Sequence, residues 1–330
     1  MISIVIANYN KESFIKETIQ SVINQTYFDW EIVFVDDGST DNSIQVILEL
    51  ARQDPRIVVE HTQPSMRGAN AARNIGWQRS KFDYILFLDS DDILAPQCIE
   101  DRLSHSRGSE LDFNIFTGGT FLRKVGDRKI LWQPKKHSCH LESFLRHDLP
   151  WHLTSALWTK TGLNKINGFS EELPRLQDVD LYMRALLLGL RYRVIGDEKP
   201  DFFYRVSPER CNYNAYELGE RYVAACDIFQ KSTYDLIQST GYKENLKKLY
   251  IRRLRGTTLS IMYRFAIEGS KGLMTNYQMH NLQKNLRNLP STLLVFDGVS
   301  ENYLDAYMHL VNIGFWRLRG FTKLTKALIC

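Results

Sequence analysis

Strand-like and helix-like segments alternate through the first 90 residues, and this alternation restricts the fold more than any other feature. Residues 30–35 (WEIVFV) and 84–88 (YILFL) are nearly continuous apolar runs, which are typical of parallel strands covered on both faces. Residues 2–6 and 57–60 are further strand candidates, and helical spacing occurs between the strands, at residues 12–24, 43–52 and 69–78. The pattern predicts an α/β domain with a largely parallel sheet.

The character of the chain changes near residue 210. Residues 112–132 have a hairpin pattern, with turns expected at Gly118-Gly119 and Gly126-Asp127. Later elements are expected as strands at 153–158, 192–195 and 202–206 and as a helix at 179–188. Long helical segments follow, at 216–237, 243–267 and 302–313. We therefore expect a domain of residues 1–210 and a mainly helical region of residues 211–330.

Composition excludes several classes of protein. The chain is 44% hydrophobic and 24% charged, which is typical of a folded globular protein and excludes a mainly disordered one. Its net charge of +4 is too small for a dedicated nucleic-acid-binding protein. The five cysteines are scattered without CxxC spacing, which argues against a disulfide framework and a zinc site. Neither a signal-peptide pattern nor an apolar run of membrane-spanning length is visible, so we expect a cytoplasmic location.

Polar side chains follow three of the predicted strands at the points where these strands end. Residues 8–10 (NYN) follow the first strand, residues 36–41 (DDGSTD) the second and residues 89–92 (DSDD) the fourth. In open α/β sheets, ligands bind at the carboxyl ends of the strands. We therefore expect the three polar clusters to line one binding cleft.

The acidic segment 89–92 is a candidate metal site. If the strand continues through it, Asp89 and Asp91 lie on the same side, because side chains alternate with period two. Two carboxylates held close together favour a hard divalent cation, Mg²⁺ or Mn²⁺. The structural alternative is a solvated turn whose aspartates cap the following helix.

Three further residues are candidates for chemistry. Asp36 and Asp37 are adjacent aspartates at a turn that needs only one, so the spare carboxylate could accept hydrogen bonds from a nucleobase or a ribose. Arg73 lies on a helix of small residues and could pair with a phosphate or with an acidic turn. Asp178 lies where a loop becomes a helix, and it could be either the N-cap of this helix or a general base.

These motifs together resemble the inverting glycosyltransferases of family two, which have the GT-A fold and use nucleotide-diphosphate sugars. The resemblance covers residues 1–206. It rests on five segments that occur in the family's order: SIVIANYN, NQTYFDWEIVFVDDGSTD, GANAARNIG, YILFLDSDDILAP and INGFSEELPRLQDVDLYMRAL. It implies a GT-A domain of the α/β class, followed by a helical C-terminal extension.

The resemblance also implies roles for residues around the nucleotide. Tyr9 is expected to flank the base, Asp37 to bind the uracil, and Arg73 to lie near the nucleotide. Asp89 and Asp91 match the outer positions of the family's DxD element. Ser90 lies between them and is expected at the nucleotide.

The same resemblance implies the metal ligand and the base. Asp91 is expected to be the direct ligand of Mn²⁺ or Mg²⁺, with Asp89 beside it. Asp178 matches the aspartate of the family's ED motif, the general base. Gln177 departs from the glutamate that usually precedes this aspartate, which puts acceptor contacts or tuning of the base in doubt. Ala7 stands where some members carry a hydroxyl residue that contacts the nucleotide.

The implied reaction is a single displacement with inversion. Asp178 would remove the proton of an acceptor hydroxyl, which attacks the anomeric carbon of a UDP-sugar or similar donor. The acceptor is expected to be a glycan or a lipid-linked glycan of a bacterial envelope.

Two alternatives remain open. A nucleotidyltransferase should have a glycine-rich loop with a lysine near its N-terminus, which SIVIANYNKES lacks. A non-catalytic subunit that binds a sugar nucleotide or a glycan would be favoured by loss of Asp91 or Asp178, and both are present. A dehydrogenase is disfavoured because no GxGxxG follows the first strand.

Two basic segments occur in the C-terminal region. Residues 242–256 hold six basic side chains and one acid, and we expect a packed helical cap with a solvated basic face. The tail from about Phe315 interleaves four basic residues with aromatic and aliphatic ones. We expect peripheral membrane contact through this tail. The alternative to membrane contact is a homodimer formed through the C-terminal helices.

Overall fold

A computed structural model, which describes residues 1–133, 139–196, 199–206, 214–296 and 298–312, divides the chain into two units. The first unit comprises Met1–Ser138, Pro150–Glu171 and Gly189–Cys211. The second comprises Cys139–Leu149, Glu172–Leu188 and Asn212–Cys330. The chain enters the second unit for the last time after Cys211, next to the boundary expected at residue 210. Two earlier segments of the second unit interrupt the first.

The first unit holds the strands. In chain order they are β1 (Ile2–Asn8), β2 (Trp30–Asp36), β3 (Ile57–His61), β4 (Tyr84–Phe87), β5 (Ile93–Leu94), β6 (Phe113–Ile115), β7 (Gly118–Phe121), β8 (Leu131–Trp132), β9 (Ala156–Thr159), β10 (Tyr192–Val194) and β11 (Phe202–Arg205).

The helices occur in both units. In chain order they are α1 (Glu12–Ile23), α2 (Ser43–Gln53), α3 (Ala69–Arg79), α4 (Cys98–Ser106), α5 (His140–Leu145), α6 (Lys160–Lys165), α7 (Gln177–Leu187), α8 (Ala215–Ser239), α9 (Glu244–Ser270), α10 (Asn276–Arg287), α11 (Pro290–Val295) and α12 (Gly298–Asn312). Of these, α5 and α7–α12 belong to the second unit.

The strands of the first unit form two sheets. The larger has the order β10-β6-β9-β4-β1-β2-β3, and the smaller has the order β5-β11-β7-β8. In the larger sheet β1 is parallel to β2 and β4, and β2 is parallel to β3. Strand β9 is antiparallel to both of its neighbours, β4 and β6. The expectation of a largely parallel sheet is confirmed.

Strand β2 shows why its apolar run is continuous. All seven of its residues are buried. Ile32 and Phe34 pack into a large apolar cluster with residues of α1 and α2, whereas Val33 and Val35 pack with Ala72 of α3. Alternate side chains thus enter apolar layers on opposite faces of the sheet, as period two requires.

The turn expected at Gly118-Gly119 is wrong, whereas the turn at Gly126 is confirmed. Gly118 and Gly119 lie in β7, which pairs with β11. A Cβ atom added to Gly118 would lie 2.3 Å from the ring of Phe202 on β11. Position 118 therefore requires a glycine because the aromatic ring approaches the backbone closely. Gly126 has φ +96° and lies between β7 and β8.

The second unit is helical, as expected for the C-terminal region. Helices α8 and α9 confirm the segments expected at 216–237 and 243–267, and α12 begins four residues before the helix expected at 302. Within the described residues, none of the helices has both the length and the apolar character that crossing a bilayer requires. The basic tail from Phe315 lies outside the described residues.

Helix α3 packs very closely on β1 at Gly76. A Cβ atom at this position would lie 2.2 Å from Cγ1 of Val5. We expect Gly76→Ala to lower the free energy of unfolding by about 1–3 kcal/mol, because the buried strand has no room to move away. Urea denaturation would measure this loss.

Gly241→Ala is the matched control for this substitution. Gly241 has no atom within 4 Å of an added Cβ and no positive φ. Its effect should stay within about 0.5 kcal/mol of the wild type. Equal stability of the two variants would contradict the close approach of α3 to β1.

Candidate active site

Side chains from distant parts of the sequence meet at one edge of the larger sheet. Strands β1–β4 are parallel, so their carboxyl ends lie at the same edge. Strand β9 is antiparallel to β4 and therefore begins at this edge, after the 3₁₀ helix Leu153–Ser155. His152 precedes this helix and thereby comes close to the acidic segment that follows β4.

Asp36, at the end of β2, is the aspartate that the turn requires. Its Oδ2 accepts hydrogen bonds from the backbone N–H groups of Gly38 and Ser39, at 3.0 and 2.9 Å. Its Oδ1 accepts one from Nδ2 of Asn8, at 3.1 Å. The carboxylate is buried, so its role is to join the ends of β1 and β2.

Asp37 is half-buried and joins β2 to the start of α3. Both carboxylate oxygens accept hydrogen bonds from the backbone N–H of Gly68, at 2.8 and 2.9 Å, and Oδ1 also accepts from the hydroxyl of Thr62. The guanidinium of Arg67 covers the same turn, because a Cβ atom on Gly38 would lie 2.9 Å from its central carbon. The binding of a nucleobase by Asp37 stays a prediction.

The acidic segment 89–92 is a turn, and the expectation that Asp89 and Asp91 share one side of a continuing strand is wrong. Strand β4 ends at Phe87, and the N–H of Asp92 donates to the carbonyl of Asp89, at 3.0 Å. The strand stops here because the chain must turn back into β5, which belongs to the other sheet. In this turn the carboxylates of Asp89 and Asp91 have different cationic partners.

Asp89 is the more accessible of these two carboxylates. Its side chain is 24% exposed, and its Oδ1 lies 2.9 Å from a guanidinium nitrogen of Arg73. Of the two partners considered for Arg73, the acidic turn is therefore the one observed. Nε2 of His152 lies 3.8 Å from Oδ2 of Asp89.

Asp91 is almost completely buried and pairs with Lys11. The Lys11 ammonium lies 2.8 Å from its Oδ2. Arg205 holds the same turn from the smaller sheet, since its N–H donates to Oδ1 of Asp92 and its Nε donates to the carbonyl of Asp91. Ser90 is buried as well, and its carbonyl accepts from the hydroxyl of Thr18.

The donor atoms at this turn fit a hard divalent cation. Asp89, Asp92 and His152 each offer one ligand atom, and these three atoms lie within 4.8 Å of one another. The carboxylate oxygens suit Mg²⁺ or Mn²⁺. The imidazole suits a metal less well, because its Nδ1 accepts a hydrogen bond from the N–H of Thr154. With Nδ1 accepting, the neutral ring carries its proton on Nε2, whereas a metal-binding histidine donates from its second nitrogen.

Tyr9 lies directly after β1, and its side chain is 55% exposed. An exposed ring at the carboxyl end of β1 is available for stacking on a flat ligand. This is compatible with the role expected for Tyr9 beside a base, which stays a prediction.

The second unit holds Asp178, in the first turn of α7. The N-cap of this helix is Leu176, with φ +64°, so the interpretation of Asp178 as the N-cap is wrong. Its Oδ1 accepts a hydrogen bond from the N–H of Val179, at 3.0 Å. The neighbouring Asp180 is buried, which raises the pKa of its carboxyl although the paired Arg184 lowers it. Asp180 therefore has a structural partner, and the role of Asp178 as a base stays a prediction.

Sequence reasoning missed Lys11, Arg67, His152 and Arg205. Lys11 directly follows the segment NYN and Arg67 directly precedes the segment GANAARNIG, so basic residues next to those motifs were an available signal. His152 and Arg205 approach through the antiparallel β9 and through the smaller sheet, and their sequence neighbourhoods contain no motif that indicates this.

Comparison with known proteins agrees with this architecture. An uncharacterized glycosyltransferase of Haemophilus influenzae is 42% identical over 121 residues, which are 37% of this chain and 47% of that protein. The match thus spans about half of that relative's length.

Two solved structures show similarity over nearly the whole chain. The S. aureus TarS 1-349 structure in complex with UDP-GlcNAc has a TM-score of 0.62 at 19% identity, covering 96% of this chain and 89% of that one. The mannosyltransferase PcManGT from Pyrobaculum calidifontis in complex with GDP-Man and Mn²⁺ has a TM-score of 0.50 at 14% identity, covering 95% and 87%. At these identities the likeness concerns the fold alone, and the GT-A fold is confirmed.

The remaining comparison concerns the first unit. Residues 3–160, which contain β1–β4 and the acidic turn, match the family model described as glycosyl transferase family 2. Through these residues, the chain is similar to glycosyl transferase family 2.

Proposed function

We propose that this protein is a metal-dependent, inverting glycosyltransferase. It would transfer a sugar from a nucleotide-diphosphate donor, preferably a UDP-sugar, to a hydroxyl of a glycan or lipid-linked glycan. One observation carries the proposal: in a chain similar to family 2, the exposed Tyr9, the half-buried Asp37 and the acidic turn 89–92 all follow strands that end at one sheet edge. Such an edge is where α/β sheets bind nucleotides.

The donor preference is supported by the turn after β2. Asp37 keeps acceptor capacity beyond its bonds to Gly68 and Thr62, because each carboxylate oxygen can accept more than one hydrogen bond. A uracil imide is a donor that matches it. TarS was solved with UDP and with UDP-GlcNAc, and PcManGT with GDP-Man, so related folds bind both kinds of base.

The acidic turn would hold the divalent ion through carboxylates of Asp89 and Asp91. In the structure Asp91 pairs with the Lys11 ammonium at 2.8 Å, and a metal ion would take the place of this ammonium at the carboxylate. A bound Mn²⁺ or Mg²⁺ would stabilise the negative charge that develops on the leaving diphosphate. Arg73, paired with Asp89, would orient this carboxylate.

Asp178 would act as the general base. It would accept the proton of the acceptor hydroxyl as the oxygen attacks the anomeric carbon opposite the leaving nucleoside diphosphate. A single displacement of this kind inverts the configuration and needs no covalent intermediate.

The setting of the reaction follows from the family resemblance. We propose a cytoplasmic enzyme at the inner face of the membrane that builds an envelope polysaccharide, a capsule or a lipopolysaccharide. Membrane contact through the basic tail and homodimer formation through the C-terminal helices belong to the same proposal.

Hydrolysis of a panel of nucleotide sugars tests the proposal. Slow release of nucleoside diphosphate that requires Mn²⁺ or Mg²⁺ and occurs with one donor would support it. Nucleotide sugars that neither bind nor hydrolyse with either ion would refute it. Binding without turnover in the presence of a full acceptor panel would favour the non-catalytic subunit.

Asp37→Ala should weaken UDP binding by about tenfold to a hundredfold, because a hydrogen bond to a charged group contributes about 1.5–3 kcal/mol. Calorimetric titration with UDP measures the loss. Thr62→Val is the matched control, since it removes one local partner of Asp37 and keeps the carboxylate. UDP affinity that is the same in Asp37→Ala as in Thr62→Val would exclude Asp37 from the nucleotide site.

A further inference from the structure

The tip of the hairpin between β7 and β8 exposes apolar and basic side chains together. We call residues 122–131 the hairpin tip. Its large apolar side chains are all exposed: Leu122 by 39%, Val125 by 38%, Ile130 by 52% and Leu131 by 43%. Its basic side chains are Arg123, Lys124, Arg128 and Lys129. Exposed apolar side chains clustered in this way usually mark an interaction surface.

The one acid of the hairpin tip is used within the turn. The Asp127 carboxylate accepts hydrogen bonds from the backbone N–H groups of Leu122, Arg123 and Lys124, at 2.9, 2.8 and 3.1 Å. These bonds hold the pKa of Asp127 below its usual value. The carboxylate thus shapes the turn, and four cations stand against a single acid.

A cavity of about 380 Å³ adjoins the hairpin tip. The apolar side chains of Val125, Ile93, Leu94 and Phe203 line one part of it, and the polar residues Glu17, Gln20, Ser21 and Asn24 line another part. The apolar surface at the tip therefore continues into the first unit and does not end at the exposed side chains.

We propose that the hairpin tip binds the surface of an anionic membrane. The apolar side chains enter the boundary between headgroups and acyl chains, and the four cations pair with lipid phosphates. Charge complementarity selects this occupant, because a purely apolar partner would leave the cations unpaired. The inference does not depend on glycosyl transfer. It adds a membrane contact in the first unit to the contact expected for the basic tail from Phe315.

Vesicle flotation of the full chain tests the proposal, with phosphatidylcholine vesicles that contain or lack phosphatidylglycerol. Wild type should bind the anionic vesicles, and added salt should weaken the binding. Lys124→Gln/Lys129→Gln should weaken it about thirtyfold, since each cation near an anionic surface contributes about fivefold. Leu122→Ser/Ile130→Ser should weaken it at least about tenfold.

Matched controls change equally exposed residues elsewhere. Leu48→Ser/Leu188→Ser replaces side chains that are 39% and 49% exposed, and Lys16→Gln/Lys231→Gln removes two exposed cations. Both should bind vesicles as the wild type does. Circular dichroism and thermal unfolding show that each variant is folded, independently of nucleotide binding and of turnover.

Three results would overturn the proposal. The hairpin-tip variants could bind anionic vesicles as tightly as the wild type. Binding could be lost in Arg317→Gln/Arg319→Gln while the hairpin-tip variants keep it, which would assign the contact to the tail alone. The wild type could bind no vesicles and instead form a dimer in sedimentation velocity, with the hairpin-tip variants remaining monomeric.

Discussion

Asp178→Asn should lower the rate of glycosyl transfer by about 10²–10⁴-fold and leave donor affinity unchanged. An asparagine cannot accept the proton of the attacking hydroxyl, and positioned general bases contribute rate factors of this size. The substitution keeps the side-chain oxygen that accepts from the N–H of Val179, so the first turn of α7 should persist. Steady-state kinetics for transfer, together with calorimetric titration of the donor, separates the two effects.

Asp235→Asn is the matched control, because Asp235 is an exposed aspartate on α8 of the same unit. It should transfer sugar at the wild-type rate. Gln177→Glu, which restores the residue common in the family, should keep transfer active if Asp178 alone is the base. Near-wild-type turnover in Asp178→Asn would remove this residue from the proposed mechanism.

Asp91→Asn should abolish the metal dependence of donor binding, with a loss of metal affinity of at least about a hundredfold. Substitutions in the outer shell of metal sites already cost up to about that factor, and loss of a direct ligand should cost no less. The neutral amide also leaves the Lys11 ammonium without its carboxylate partner at 2.8 Å. Titration with Mn²⁺ in the presence of UDP measures the loss.

His152→Asn distinguishes the two candidate ligand sets at this turn. Because Nδ1 of His152 accepts from Thr154, we expect this variant to bind the metal within about tenfold of the wild type. If His152→Asn loses the metal and Asp91→Asn keeps it, the ligands are Asp89, Asp92 and His152. The assignment of Asp91 would then be wrong.

Local patterns were sufficient to predict the central part of the first unit. Each strand from β1 to β4 is a short apolar run followed by a turn motif, and the intervening helices have clear periodicity. Strands were expected at 153–158 and 202–206, but the antiparallel pairing of β9 and the existence of a second sheet were not predicted. Their pairing depends on contacts between segments far apart in sequence, such as Leu86 with Leu157 and Gly118 with Phe202, and no local pattern records such contacts.

The candidate site, too, was predictable from local motifs only in part. The polar ends of β1, β2 and β4 were visible as motifs, because each is a cluster of polar residues that directly follows an apolar run. The partners of those aspartates were not visible. The bond from Asp37 to Gly68 and the pair of Asp91 with Lys11 depend on backbone positions that only the folded chain provides.

The interleaving of the two units has a consequence for biosynthesis. Helices α5 and α7 leave the ribosome well before α8 and α9, on which they pack. Until the later helices are made, the rings of Phe144 and Tyr182, stacked on each other at 5.5 Å, lack the rest of their apolar surroundings. The nascent chain therefore exposes this apolar surface until α8 and α9 are made, and a shortened chain ending near residue 210 would expose it permanently.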